Sequence, residues 1–145
     1  MANTRHAAGF TWIKTPTEVL TPAVRAYGER VKAAVFAVGV YMAQVILNYA
    51  KQYAAWTDRT ANARSALHAI VAAGEGKEQR IEGTVPSEAE EVVQVAANLV
   101  VIFLSHGMWY GKYLETIAAG KWAIIMPALQ AHYGQVMQML REILN

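Results

Sequence analysis

The sequence predicts an α+β fold, with a long N-terminal helix and a C-terminal helix packed on a small antiparallel sheet in one domain, residues 1–145. Three observations predict it. Residues 18–55 and 126–144 repeat apolar side chains at helical steps of three, four and seven. Between them lie short apolar runs broken by Gly, Pro and Asn. Residues 105–129 then join the most apolar of those runs, residues 99–104, to the last helix through a dense set of aromatics and glycines. Large rings fix the packing around them and glycines allow close backbone approach, so this stretch is the expected centre of docking.

Composition narrows the class. A chain of 145 residues can bury a core without staples. It has no cysteine, which excludes disulfides, thiolate metal sites and thiol catalysis. Only 17% of residues are charged, against about 25% in a typical soluble domain. That deficit implies surface covered by other protein or by a membrane. The net charge of +2 is too small to argue for nucleic acid. Its distribution is uneven: residues 1–70 carry eight Lys/Arg and three Asp/Glu, whereas residues 75–91 carry two and six. A basic front and an acidic middle suit contacts between copies; a solvated acidic loop is the alternative.

Residues 1–16 form an N-terminal arm with no apolar core of signal-peptide length. Phe10, Trp12 and Ile13 alternate with Thr11 and Lys14, as a short strand or a docking arm would. Thr17 or Thr21 can cap the following helix and Pro22 suits its first turn. Leu20, Val24, Val31, Val35, Val38, Met42, Val45 and Tyr49 make its apolar stripe. Between Lys32 and Lys51 lie eighteen residues without a charge, the threshold length for a membrane span. Gln44, Asn48 and several alanines keep that segment only moderately apolar, and the stripe continues beyond it. The preferred reading is a helix with one face on its own sheet and another on a neighbouring subunit. Phe10, Trp12, Phe36 and Tyr41 are the interface candidates, and no membrane is expected.

Asp58, Thr60 and Asn62 can bond local backbone, so residues 56–64 should form a structured turn, with Trp56 fastening it to the core. Leu67, Ala69 and Val71 alternate with His68 and Ile70 in a first strand, residues 65–72. Gly74-Glu75-Gly76-Lys77 is a turn. Residues 79–85 read as a second, exposed strand, interrupted at Pro86 and resumed over residues 90–95, before the apolar run at 99–104. These segments predict a meander, with the acidic region 75–91 as a loop. Residues 110–116 predict a helical turn. Residues 126–144 predict the last helix, with Pro127 in its first turn and Leu129, Tyr133, Val136, Leu140 and Ile143 or Leu144 facing in.

The chemistry-bearing side chains are few. His106 and Glu115 flank the aromatic stretch, with Asp58 and His68 elsewhere. No metalloprotease, nucleophile-elbow or phosphate-loop motif is present, so no catalytic residue, metal or cofactor is expected. His106 reads as a structural histidine bonded to a loop carbonyl. Glu115 reads as one half of a latch to Arg59 or Arg64, since a bidentate Arg–carboxylate pair fixes geometry. An enzyme or ligand-binding domain using His106 and Glu115 is the rival reading. Trp109, Tyr110 and Tyr113 have only Lys112 and Lys121 nearby, which favours core or interface packing over a nucleic-acid platform.

Two motifs carry a resemblance. Trp56, Asp58, Arg59, Thr60, Asn62, Ala63, Arg64 and Leu67 follow the order Trp-x-Asp-Arg-Thr-Gly-Asn-Ala-Arg of a group of bacteriophage proteins. Ser105-His106-Gly107, then Tyr110-Gly111-x-Tyr113-Leu114-Glu115, then Gly120-Lys121 and Ile125-x-Pro127 resemble the second half of the same signature. The family is the small head–tail connector, neck or tail-completion proteins of long-tailed phages, and the likeness covers about residues 18–144. Ala61 stands where that family carries Gly. The resemblance implies a structural virion protein of the neck, assembled in the host cytoplasm, and no enzyme. It implies a homo-oligomeric ring joining the DNA-filled head to the tail, a hexamer by match to a sixfold tail or a dodecamer as at connectors. Its partners would be head-completion or connector proteins and tail-terminator or tail-tube proteins. DNA would pass through the lumen without sequence-specific binding. A single-span membrane lysis factor is a further alternative.

Overall fold

The computed structural model describes residues 13–57, 59, 62–83 and 93–145. Helix α1 (Pro16–Tyr53) is followed by a single turn α2 (Asn62–Ser65), then β1 (His68–Ala73), a 3-10 turn (Gly74–Gly76) and β2 (Lys77–Ile81). Then come β3 (Val100–Ser105), α3 (Gly111–Thr116), a second 3-10 turn (Ile117–Gly120) and α4 (Ile125–Leu144). The fold class is α+β as the periodicities predict. The chain divides into two units, Met1–Ala34 and Val35–Asn145.

In the first unit the described residues start α1 with a capping box. The Glu18 N–H donates to Thr15 Oγ1 (3.3 Å) and the Thr15 N–H donates to Glu18 Oε2 (2.7 Å). Pro16 then occupies the first helical position, where its missing N–H costs nothing. Thr15, not Thr17 or Thr21, is therefore the cap, and Pro22 lies inside the helix. Leu20 and Val24, expected on the buried stripe, are exposed here, as is Tyr27.

In the second unit α1 buries Gly39, Met42, Ala43, Ile46, Leu47 and Ala50. Gly39 allows close approach, since a Cβ there would lie 3.1 Å from Val71 Cγ1, a tight contact. Leu67, Ala69 and Val71 complete the cluster from the sheet side, and Ile124 and Ala128 from the start of α4. Phe36, expected to be free for a partner, packs against this core and carries the Lys77 ammonium 4.1 Å over its ring. Tyr41 is exposed; Phe10 and Trp12 lie outside the described residues. An 18-residue window of α1 has mean hydropathy 1.6, so the helix is long and apolar enough to cross a membrane by length and composition. One third of that window is buried within the fold.

The sheet order is β2-β1-β3, antiparallel throughout. The predicted meander is thus corrected: β3 returns to pair with β1, not with β2. β1 is the strand buried on both faces, with His68 and Ile70 each only 1% exposed, so it takes the centre. β2, with Lys77, Glu78 and Arg80 exposed, suits an edge. It also starts two residues before the predicted position, directly after the turn whose Glu75 and Gly76 have φ of 67° and 76°. Of the resumed strand expected over 90–95, residues 93–95 are not strand, and residues 84–92 lie outside the described residues.

In α4, Ala128, Leu129, Val136 and Met139 pack inward. Tyr133, predicted to face in, is exposed. His132 takes the neighbouring inward place, bonding the Ala128 carbonyl (2.8 Å) and standing edge-on to the Tyr49 ring at 4.8 Å. Leu144 is also exposed, while Leu140 and Ile143 are half-buried.

Candidate functional site: a carboxylate latch

β3 delivers His106 to the interior. Its following glycine has φ of +69° and leaves no room for a side chain, because a Cβ at Gly107 would lie 2.4 Å from the Ala66 carbonyl oxygen and 3.1 Å from His68 Nδ1. The chain then turns into α3, whose first residue packs directly on the imidazole. A Cβ at Gly111 would come 2.2 Å from His106 Cβ. His106 is 6% exposed, and the indole of Trp56 lies with its centroid 5.6 Å from the imidazole.

Glu115, one turn into α3, faces this imidazole. A single carboxylate oxygen, Oε1, accepts three hydrogen bonds: from His106 Nε2–H (2.7 Å), from the Ile124 N–H (2.9 Å) and from the Ile125 N–H (3.2 Å). The last two are orphan donors at the start of α4, where Ile124 has no side-chain oxygen to cap the helix. Glu115 therefore caps α4 from another element and places a negative charge at the positive end of that helix's dipole. Burial pushes the Glu115 carboxyl up; the Ile124 N–H, the His106 imidazole and the Ile125 N–H together outweigh it and hold the carboxyl below its ordinary value.

The latch expected from Glu115 to Arg59 or Arg64 is thus corrected. His106 and two backbone amides take the carboxylate, and His106 bonds a carboxylate rather than a loop carbonyl. Arg64 instead donates from one guanidinium nitrogen to the carbonyl oxygens of Ala54 (3.4 Å) and Trp56 (3.5 Å), tying the turn after α1 to α2. Asn62 begins α2 and Leu67 is fully buried. Asp58, Thr60 and Ala61 lie outside the described residues, and Arg59 is exposed.

The remaining motif residues lie at the start of α3, within it, and in the first turn of α4. Tyr110 precedes α3 and stacks edge-on against Trp109 at 5.6 Å. Tyr113 is exposed, with Trp109 edge-on at 6.4 Å and the Lys112 ammonium 5.1 Å from its centroid. Trp109 itself is 70% exposed, so this aromatic group is not core. Pro127, third residue of α4, needs no N–H there. Ala118 and Ala119 have φ of 52° and 54° in the turn between α3 and α4; left-handed alanines cost about 1–2 kcal/mol each. No pattern in the sequence announces them.

A carboxylate aligned on an imidazole is the pairing that acid–base catalysis uses. With Nε2 turned to Glu115, Nδ1 is the other nitrogen of the ring. That atom is buried and has no hydrogen-bond partner among the described residues. A cavity of about 260 Å³ lies beside the latch, lined by Ala55, Trp56, Thr57, Leu114 and Trp122, but His106 does not line it. Among the described residues no group of three His, Asp or Glu could hold a metal. The arrangement joins the turn after α1, the end of β3, α3 and the start of α4; it is built to hold elements together. No family model, curated protein or solved structure matches the chain.

Proposed function

We propose that this chain is a structural subunit of the neck of a long-tailed phage, forming a homo-oligomeric ring that joins the filled head to the tail. The observation that carries the reading is the latch. Trp56 of the first phage-like motif, and His106 and Glu115 of the second, meet at one half-buried joint that also starts α4. A signature whose residues converge on a structural joint, with an imidazole nitrogen shut away from solvent, suits a virion part and not a reaction centre. The low charge and the exposed Tyr41, Trp109, Tyr113 and Tyr133 are in keeping with a surface covered by neighbours. In this reading the ring is sixfold or twelvefold and contacts connector and tail proteins. DNA crosses its lumen without sequence-specific contacts, and no cofactor takes part.

The test is deletion of the gene in the parent phage, with the lysate viewed by electron microscopy. Full heads lying apart from complete tails are the expected result. Intact infectious particles would overturn it and move the His106–Glu115 acid–base reading ahead, since that contact is the observation in its favour. The one observation behind the alternative of a membrane-spanning lysis factor is that α1 is long and apolar enough to cross a membrane. Recovery of the expressed chain in the detergent-free supernatant is the expected result against that reading.

A further inference from the structure

The two edges of the sheet differ. β2 presents Lys77, Glu78, Gln79 and Arg80, all exposed, and such charges guard an edge against further pairing. β3 presents Val100-Val101-Ile102-Phe103-Leu104-Ser105, without a charge. The Gly74 N–H donates to the Leu99 carbonyl (3.3 Å), and the register continues Ala73↔Val100 to His68↔Ser105. Bonding alternates along an antiparallel pair, so Val101, Phe103 and Ser105 turn their backbone groups toward β1. Val100, Ile102 and Leu104 turn theirs outward, where they meet no strand among the described residues. Leu99 and Phe103, on the same side of the strand, are 50% and 38% exposed.

The chain carries a segment that matches this edge. Residues 7–13 read Ala-Ala-Gly-Phe-Thr-Trp-Ile, uncharged between His6 and Lys14, and end in strand-forming types. Six extended residues span about 20 Å, the length of a six-residue strand. Phe10 and Trp12, two apart, would share one face, as Leu99 and Phe103 do. Ile13, the first described residue, is 100% exposed.

We infer that residues 8–13 of a second copy add as a strand to the outer edge of β3. Main-chain bonds to Val100, Ile102 and Leu104 give the affinity, and the arm's aromatics cover Leu99 and Phe103. Donor segment and acceptor edge are different surfaces, so the contact is head-to-tail and propagates from copy to copy. Assigning the strand to a second copy, and not to the same chain, rests on the ring reading; the open edge itself does not.

The experiment compares amide hydrogen exchange and light-scattering mass of the full chain with those of the double variant Phe10→Asp/Trp12→Asp, up to millimolar concentration. In the associated full chain the amides of Val100, Ile102 and Leu104 should exchange about 100-fold more slowly than in the variant, whose mass should fall to that of one chain. Slow exchange retained in the variant would overturn the proposal by showing another strand on the edge. Fast exchange in both proteins would overturn it outright. Protection lost with no change of mass would show the arm pairing within its own chain. Failure of the neck reading is seen separately: a phage carrying the variant that still joins heads to tails leaves the exchange result standing and removes the ring's role.

Discussion

The two long helices begin in different ways. α1 is capped by its own neighbours, Thr15 and Glu18, three residues apart and exposed. α4 is capped by Glu115, nine and ten residues earlier on another helix, in a half-buried site. A local cap settles one helix end and nothing else. A borrowed cap makes the helix end a joint of the tertiary structure, because the same oxygen also holds His106. Damage at the first should stay local, and damage at the second should spread through β3, α3 and α4.

The strongest way to break the comparison is Glu115→Ala. It leaves three donors without their acceptor, two of them backbone amides, and should cost about 2–4 kcal/mol of global stability in chemical denaturation. Loss below about 1 kcal/mol would mean that α4 does not depend on the latch. Gly111→Ala attacks the joint sterically. Its methyl group would fall 2.2 Å from His106 Cβ, which is not a flexible tip, and relief by backbone movement should cost about 1–3 kcal/mol. Gly134→Ala is its control, since nothing lies within 4 Å of that position. A helix-interior alanine there should stabilise by about 1 kcal/mol.

Acid sharpens the same contrast. The Glu115 carboxyl sits below its ordinary value of 4.5, so its contribution is present above that pH and is lost as pH falls through the lower, folded value. Thermal melts of the native chain should therefore steepen their decline below about pH 4.5, by more than those of Glu115→Gln. Glu115→Gln keeps an acceptor oxygen and loses the charge, and should cost about 1–2 kcal/mol at neutral pH. Identical pH profiles for the two proteins would detach the carboxylate's charge from stability.

Much of the joint was legible without coordinates. The aromatic and glycine-rich stretch, Trp56 as a fastening residue and Glu115 as a latch all emerge from residue type and spacing. The partner of Glu115 was not legible, because Arg59, Arg64 and His106 can each donate to a carboxylate. The choice was made by Gly111, which lets α3 lie on the imidazole. Strand order was hidden for a similar reason. β1 and β3 are both apolar, and only burial of His68 and Ile70 on the second face puts β1 at the centre. The inward face of α4 turned on one residue, since Tyr133 and His132 both fit a helical stripe and only His132 has Tyr49 and the Ala128 carbonyl to meet.

The smallest expected effect lies at α1. Thr15-Pro16-Thr17-Glu18 holds the capping box in plain view, and three threonines compete for the cap until Pro16 decides it: proline at the first helical position leaves Thr15 just outside. Thr15→Ala removes the acceptor for the Glu18 N–H and should weaken the helix start by about 1 kcal/mol. The measurement is amide exchange at Glu18 and Val19, which should quicken about fivefold while the melting of residues 35–145 stays unchanged. A drop in that melting as large as the one from Glu115→Ala would erase the distinction between a local and a borrowed cap. Unchanged exchange at Glu18 would show that Pro16 alone holds the helix start.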